Sequence, residues 1–203
     1  FVCEDGTMFG EEYTLVAISD YVLSKNPGNT VSNLSSTRAL RDITVKHNGK
    51  YEASAVGEVN VVEKMKEINA IIGGEGNGGV IYPDLHYGRD ALIGIALFLT
   101  QIAEKDISVK NLRKSYPNYF ISKNKIKLTK DINVNLILST LERKFKNEDI
   151  TTIDGLKIDF NDGWVHLRKS NTEPIIRIYA ESNSQEAASK LAEDMILEIK
   201  KII

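Results

Sequence analysis

The 203-residue sequence contains a single cysteine, Cys3, and no long run of apolar residues. One cysteine excludes a framework of internal disulfides and is typical of proteins in a reducing compartment. No stretch approaches the roughly 18 consecutive apolar residues of a membrane-spanning helix, and no signal peptide is recognisable. These absences predict a cytoplasmic protein without a membrane partner.

A large excess of charge of either sign is also missing. The sequence has 26 Lys and Arg against 28 Asp and Glu, a formal net charge of −2. A broad nucleic-acid-binding surface is therefore not expected, and affinity for an anion would require a local cluster of basic groups. The three histidines, at positions 47, 86 and 166, lie far apart in the sequence, so they predict no metal site.

Hydrophobic periodicity predicts an α/β domain in the first part of the chain. Strand-like and helix-like segments alternate, which favours a mostly parallel sheet covered on both faces. The predicted strands are 30–34, 51–56 and 70–72, and the predicted helices are 12–25, 36–46, 58–69 and 90–104. The last of these helices is apolar nearly all round, which predicts a central helix covered on all sides.

The alternation changes around Pro117, which predicts a second and smaller domain. Turn signals at Asp154-Gly155 and Asp162-Gly163 indicate antiparallel hairpins. The predicted strands are 119–128, 149–153, 156–160, 164–168 and 175–180, and the helices are 133–146 and 185–202, the second with Ser184 as N-cap. The fold class is therefore an α/β/α domain at 1–117 followed by an α+β domain at 118–203, with helices on one face of an antiparallel sheet. A hinge is expected near 106–118.

The strongest indication of function is the stretch 168–177. Its two arginines, Arg168 and Arg177, bracket a turn, and a hairpin here would bring them together at one end of the sheet. Guanidinium is a planar donor suited to carboxylate or phosphate, and hydroxyl and backbone N–H groups in a turn complete an anion-binding cradle. The turn offers Ser170, Asn171 and Thr172, followed by Glu173.

The neighbouring residues leave a second interpretation open. Strand alternation places Arg168 on the opposite face from Val165 and Leu167, so its side chain can reach the turn. Serine, asparagine and proline are, however, also ordinary turn formers for local backbone reasons. From the spacing alone, a plain hairpin turn and an anion site are both compatible with this stretch.

A second candidate site is the glycine-rich stretch after the predicted strand 70–72. Gly74, Gly76 and Gly79 match the dinucleotide fingerprint G-x-G-x-x-G. That interpretation requires a helix to open directly at the glycines, with its N-terminus facing the pyrophosphate. The next predicted helix starts only near Asp90, and no acidic residue follows where the ribose would need it. We therefore reject a dinucleotide site, which leaves Glu75 as the one carboxylate of a glycine loop.

Both stretches resemble loops of the α-D-phosphohexomutases, a family that interconverts 1-phospho and 6-phospho sugars. The stretch 168–174 is similar to the C-terminal phosphate-binding loop, and 74–79 to the sugar-binding loop Gly-Glu-x-Ser-Gly-His. Glu75 carries over directly, Asn77 replaces the serine, and Gly79 replaces the histidine. Segments 10–15, 36–42 and 56–58 resemble the family's third domain, so the resemblance covers essentially the whole chain. The residues at 56–58 and 74–79 are most similar to those of bacterial phosphoglucosamine mutase-like members.

The resemblance implies a role for each of these residues. It assigns phosphate binding to Arg168, Ser170, Asn171, Thr172 and Arg177, and sugar binding to Glu75 and Asn77. Arg177 either binds phosphate or braces the loop against Glu173, and both interpretations stay open. The resemblance does not assign a general acid or base, because Gly79 stands where the family has histidine.

The resemblance also implies a longer protein. The family's phosphoserine loop and its Asp-rich loop, which holds Mg²⁺, have no counterpart in this sequence. We therefore expect the C-terminal half of a mutase, with its N-terminal domains as partner. This half should bind a phosphosugar without catalytic residues or a metal of its own. The alternative is a non-enzymatic phosphosugar-binding or scaffolding module. The sequence does not distinguish glucosamine, glucose and mannose, and does not indicate the oligomeric state.

Overall fold

A computed structural model describes residues 1–127, 132–170 and 173–203, which form two compact units, Phe1–Asn118 and Tyr119–Ile203. Unit 1 alternates helices and strands as its hydrophobic periodicity predicts. Its elements are α1 (Glu11–Lys25), β1 (Asn29–Asn33), α2 (Ala39–Lys46), β2 (Tyr51–Ser54), α3 (Glu58–Glu67), β3 (Ala70–Glu75), β4 (Gly79–Ile81), α4 (Ala91–Lys105) and α5 (Val109–Lys114).

The sheet of unit 1 is mostly parallel and lies between helices. Its strand order is β2-β1-β3-β4, with β1 parallel to β2 and β3 and with β4 antiparallel to β3. Gly73 of β3 faces Met65 of α3, whereas the next residue, Gly74, faces Leu15 of α1. Because successive strand residues point to opposite faces, helices cover both sides, and the predicted α/β/α architecture is confirmed.

Strand β3 is longer than its sequence predicts. It continues through both glycines to Glu75 and turns directly into β4, which the sequence does not predict. A Cβ at Gly73 would lie 2.6 Å from the sulfur of Met65, and one at Gly74 would lie 1.9 Å from the carbonyl oxygen of Gly79. These glycines therefore allow close packing within a strand, and the loop itself is only residues 76–78.

Helix α4 is less covered than its sequence predicts. It begins at Ala91 behind an N-cap, Asp90, whose Oδ1 accepts from the N–H groups of residues 92 and 93 at 2.7 and 3.1 Å. One side packs in unit 1, whereas the other leaves Leu92 77%, Ile95 44% and Leu99 57% exposed. The prediction of a helix covered on all sides was wrong for the chain as described, because apolar composition does not report whether a packing partner is present. None of the helices in the described ranges is both long and apolar enough to cross a membrane.

The stretch predicted as a hinge is largely part of unit 1. It contains α5, and both Leu112 and Tyr116 are buried. The hydroxyl of Tyr116 donates to Oδ2 of Asp20 on α1 at 3.2 Å. A short helix anchored this way is a packed element rather than a linker.

Unit 2 is an antiparallel sheet with two helices on one face. Its elements are β5 (Phe120–Lys127), α6 (Val134–Lys144), β6 (Asp149–Thr151), β7 (Leu156–Phe160), β8 (Gly163–Lys169), β9 (Ile175–Ser182) and α7 (Gln185–Ile202), in strand order β5-β9-β8-β7-β6. The core joins Val165 and Leu167 of β8 to Ile137 of α6 and Met195 of α7. Ser184 caps α7 by accepting from the N–H of Ala187 at 3.1 Å. The predicted α+β architecture and this N-cap are confirmed.

Candidate functional site

The two arginines of the stretch 168–177 are direct neighbours across a hairpin. Strands β8 and β9 pair antiparallel with Arg168 opposite Arg177, and β5 pairs with β9 so that Lys125 lies opposite Arg177. Directly opposite residues of an antiparallel sheet share a face, with Cβ atoms about 4.5–5.5 Å apart. The sheet therefore places three cations in one row, on the face opposite to the core residue Leu167.

Two acidic side chains partly balance this row. Nη1 of Arg168 lies 3.4 Å from Oδ2 of Asp154, and Nη2 of Arg177 lies 3.6 Å from Oε2 of Glu173. Lys125 is exposed and forms no ion pair within the described ranges. Three cations against two carboxylates leave the row positive, and like charges directly opposite one another are unfavourable.

Arg177 also has an unused donor. Its Nε is buried and has no hydrogen-bond partner among the residues that the structure describes. A buried polar group without a partner is costly, so such a group often marks the place of a ligand or a water. The ion pair with Glu173 is compatible with the interpretation that Arg177 braces the loop. The unpartnered Nε is compatible with the interpretation that Arg177 binds phosphate.

Ser170 closes the end of β8. It is 5% exposed, its N–H donates to the carbonyl of Ile175 at 3.0 Å, and its Oγ accepts from the N–H of Glu173 at 3.3 Å. Ser170 therefore links the end of β8 to Glu173 and to the start of β9. Asn171 and Thr172, the other two predicted phosphate-binding residues of the turn, lie outside the described residues.

A buried histidine holds the turn whose carboxylate pairs with Arg168. His166 lies on the same face of β8 as Arg168, and its Nε2 is 2.7 Å from the carbonyl oxygen of Asp154. Burial lowers the pKa of His166 to about 4. At neutral pH the ring thus adds no charge to the row, and it donates Nε2–H to hold the Asp154 turn, whose side chain pairs with Arg168.

The predicted sugar loop is the β3–β4 hairpin of unit 1. Glu75, only 6% exposed, ends β3 and accepts from Nδ2 of Asn33 at 3.0 Å and from Nη1 of Arg89 at 3.3 Å. Asn33 ends the adjacent parallel strand β1. Ligands of open α/β sheets bind beyond the carboxyl ends of such strands, which is where this carboxylate lies.

The turn of this hairpin has little freedom. The N–H of Gly76 donates to Oγ of Ser36 at 3.0 Å, and the carboxylate of Glu12 fills the space that a side chain at position 76 would need. Gly78 has φ +85°, a left-handed conformation that glycine adopts without strain. Oδ1 of Asn77 accepts from the N–H of Gly79 at 3.1 Å, while its Nδ2 has no partner among the described residues. Asn77 thus keeps its amide NH₂ group, with two donor hydrogens, for a ligand.

Two residues without a predicted role complete this site. The backbone N–H and Nε of Arg89 donate to the two carboxylate oxygens of Glu58 at 3.0 and 2.8 Å. These bonds, first from the backbone and then from the guanidinium, lower the pKa of Glu58. The residues border an open depression of about 510 Å³, lined by Glu58, Asn77, Gly78, Gly79, Arg89, Asp90 and Ala91.

Sequence reasoning did not assign Lys125 or Arg89. The alternation of Lys123, Lys125 and Lys127 along β5 marks one exposed, basic face and could have identified the first. For Arg89 there was no local signal, because its carboxylate partners lie 31 and 14 residues away. The structure therefore brings the predicted residues together as two separate groups, Glu75 and Asn77 on one hairpin and Arg168, Ser170 and Arg177 on another.

Two domains of one known family match successive parts of this chain. Residues 10–119 match the family domain described as phosphoglucomutase/phosphomannomutase, alpha/beta/alpha domain III. Residues 123–198 match the C-terminal domain of the same family.

Similar proteins extend over nearly the whole chain. A phosphoglucomutase/phosphomannomutase from Thermococcus kodakarensis is 34% identical over 95% of this chain and 42% of its own length. A phosphoglucosamine/phosphogalactosamine mutase from Sulfurisphaera tokodaii is 32% identical over 100% of this chain and 45% of its own. These relatives are archaeal, so they do not support the expected bacterial origin.

A solved structure shows the same fold. The phosphoglucomutase/phosphomannomutase family protein of Burkholderia thailandensis superposes with a TM-score of 0.78 and 26% identity, over 99% of this chain and 43% of that chain. The chain thus spans less than half the length of the relatives that it matches. With both domain matches and two relatives above 30% identity, the chain belongs to the phosphoglucomutase/phosphomannomutase family, of which it contains domain III and the C-terminal domain.

Proposed function

We propose that this chain is the substrate-binding part of a phosphohexomutase, which interconverts the 1-phosphate and 6-phosphate of a hexose or hexosamine. In this proposal unit 2 binds a phosphate group of the substrate and unit 1 binds its hydroxyl groups. The observation that carries the proposal is the row formed by Lys125, Arg177 and Arg168, with a buried and unpartnered Nε at its centre. Phosphate offers the charge and the several acceptors that such a row lacks.

The sugar side of the proposal rests on Glu75 and Asn77. Each oxygen of Glu75 receives one hydrogen bond, and a carboxylate has about four acceptor positions in all. It can therefore still accept from sugar hydroxyls, while the amide Nδ2 of Asn77 can donate to them. Ser170 and Arg168, together with Asn171 and Thr172, would hold the phosphate that is not reacting.

The reacting groups belong to other parts of the longer protein in this proposal. The phosphoserine and Mg²⁺ expected from the family would lie on N-terminal domains, which are the proposed partner of this chain. Within the described ranges, no group of three or more His, Cys, Asp and Glu side chains is arranged to hold a metal ion. Binding of remote groups still contributes to rate by positioning the reacting end.

A phosphate titration tests the binding role. Inorganic phosphate and a hexose 6-phosphate are added to the 203-residue chain, and binding is followed by amide chemical shifts. Hydrogen bonds to charged groups contribute roughly 1.5–3 kcal/mol, so Arg168→Ala should weaken phosphate binding by about 10- to 100-fold. Arg143→Ala, which removes an exposed arginine of α6, is the matched control. Equal responses of the wild type and Arg168→Ala would contradict the proposal.

Activity assays separate the proposal from a non-enzymatic module. The 203-residue chain alone should not isomerise a hexose phosphate, because it has no phosphoryl donor of its own. A longer polypeptide that carries the family's phosphoserine and metal loops together with this chain should do so. Isomerisation by the pure chain would contradict the first expectation, and an inactive longer polypeptide would favour a binding or scaffolding module.

A further inference from the structure

We propose that Arg89 is a positioning residue of the sugar site, which orients Glu75 and fills the space that a side chain at position 79 would need. The inference rests on the proposed function, since it concerns how unit 1 would recognise a hexose. It follows from three observations: the double carboxylate contact of Arg89, its unused donors and its contact with a glycine.

The guanidinium of Arg89 fixes one oxygen of Glu75. Glu75 is nearly fully buried, and its two oxygens are held separately, one by Asn33 and the other by Arg89. Arg89 is itself held by Glu58 through two hydrogen bonds. Because a guanidinium is planar and its donors have fixed directions, the pair with Glu58 determines where the donor to Glu75 points.

The same guanidinium has donors left for a ligand. Of its five N–H groups, one on Nε and one on Nη1 are used, and the others have no partner among the described residues. They border the depression that Asn77 also lines. A sugar hydroxyl both donates and accepts, so one hydroxyl can donate to Glu75 and accept from Arg89. The pair thus suits a neutral hydroxyl better than an isolated carboxylate would.

Gly79 leaves the space that the side chain of Arg89 occupies. A Cβ at Gly79 would lie 2.7 Å from Cδ of Arg89 and 3.1 Å from Oδ1 of Asn77. The first contact is shorter than real side chains tolerate, so any larger residue would require the side chain of Arg89 to move. A histidine at position 79, the residue of the similar family loop, and Arg89 in its observed place therefore exclude each other.

A double-mutant cycle tests the positioning role. Affinities for a hexose 6-phosphate and for inorganic phosphate are measured with the wild-type chain, Arg89→Ala, Arg89→Lys, Glu75→Gln and Arg89→Ala with Glu75→Gln. We expect Arg89→Ala to lower hexose 6-phosphate affinity about tenfold, within the range of a charge-assisted hydrogen bond, and to leave inorganic phosphate affinity unchanged. Arg89→Lys should recover only part, because an ammonium cannot contact both carboxylates as a planar fork.

The double variant distinguishes positioning from simple structural support. If Arg89 acts mainly through Glu75, the loss of affinity in the double variant should be smaller than the sum of the two single losses. Additive losses, or an unchanged affinity of Arg89→Ala, would overturn the inference while the proposed function stands. If the wild-type chain binds inorganic phosphate but gains nothing from the hexose, the sugar role of unit 1 and this inference both fail.

Gly79→Ala gives a test that needs no ligand. The added methyl group should push the Arg89 side chain aside, so the Nε–H signal of Arg89, which donates to Glu58 at 2.8 Å, should shift or be lost in NMR spectra. The chain should stay folded, as shown by unchanged amide signals in unit 2. An unchanged Nε–H signal in Gly79→Ala would contradict the steric part of the inference.

Discussion

The two hairpins of this protein differ in how their charged side chains are paired. At the β3–β4 hairpin of unit 1, the guanidinium of Arg89 contacts the carboxylate of Glu75, which ends β3, and that of Glu58, which begins α3. The β8–β9 hairpin of unit 2 places Arg168 and Arg177 side by side, with weaker and longer ion pairs. The first site pairs its one cation with two carboxylates and presents orientated hydrogen-bonding groups. The second leaves positive charge unbalanced, which an arriving anion would neutralise.

Under the proposed function, this difference would suit the two units to different parts of a phosphosugar. Hydroxyl groups are neutral and directional, so a site for them gains most from fixed acceptors and donors. A phosphate carries charge and several equivalent acceptors, so a site for it gains most from unpaired cations and donors. A change that exchanges these properties between the hairpins should therefore affect only one part of the ligand.

The largest expected effect is the loss of the Glu75 carboxylate. Glu75→Gln keeps the shape of the side chain but removes the charge that strengthens hydrogen bonds from hydroxyl groups. We expect hexose 6-phosphate affinity to fall by up to about 3 kcal/mol and inorganic phosphate affinity to stay unchanged. Isothermal titration of both ligands is the measurement, with the exposed Glu67→Gln on α3 as control. A parallel loss of phosphate affinity would show that the hairpins are not independent.

Much of this comparison could be predicted from the sequence, because local periodicity and turn chemistry determine most of it. The alternation of Val165 and Leu167 with Arg168 placed the arginine on the correct face of β8. The turn signals gave the antiparallel hairpins of unit 2. The residue types at 75 and 77 pointed to a polar glycine loop, whereas the hairpin was not predicted, because β4 has only three residues and left no periodic signal.

The rest depends on long-range packing that no local pattern contains. Gly73 and Gly74 read as turn residues, whereas their lack of a Cβ serves close packing inside β3. The pairing of Lys125 with Arg177 requires β5 to join the sheet beside β9, although the two residues are 52 positions apart in the chain. The exposed side of α4 could not be foreseen, because apolar residues show only that a helix can be buried.

A second prediction concerns the pH dependence of stability that the buried His166 of unit 2 causes. His166 of unit 2 has a folded pKa of about 4, against 6.5 for an unperturbed histidine. Between these values the unfolded chain binds more protons than the folded chain, so stability falls as pH decreases. Urea unfolding of unit 2 should show a loss of about 2 kcal/mol between pH 7 and pH 5.

His166→Gln serves as the matched variant for this prediction. Glutamine can still donate to the carbonyl of Asp154 but does not titrate, so the loss between pH 7 and pH 5 should shrink to a small remainder. Asp20 of unit 1 does not interfere: burial alone would raise its pKa, but His47 and Lys105 hold it lower overall, so it responds at more acidic pH. An equal loss in both chains would show that His166 is not the group responsible.

The smallest expected effect concerns Lys125, which extends the cationic row beyond the two arginines. Lys125→Gln removes one exposed charge beside Arg177. Two unit charges in contact with each other in water interact with about 1 kcal/mol. Loss of the Lys125 charge should therefore lower phosphate affinity about fivefold. Because exposed charges are screened by salt, the difference between the wild type and Lys125→Gln should shrink as ionic strength rises.

Lys123→Gln is the control that makes this small effect interpretable. Lys123 lies on the same strand and the same face, but it is paired with Tyr179, and its Nζ is 5.8 Å from the centre of that ring. Both variants change the net charge of the chain by one unit, so a general electrostatic effect would weaken phosphate binding equally. A loss confined to Lys125→Gln would locate the phosphate in the row that contains Arg177. Equal losses would mean that unit 2 attracts anions through its overall field, and the contrast between the two hairpins would then be one of net charge rather than of built contacts.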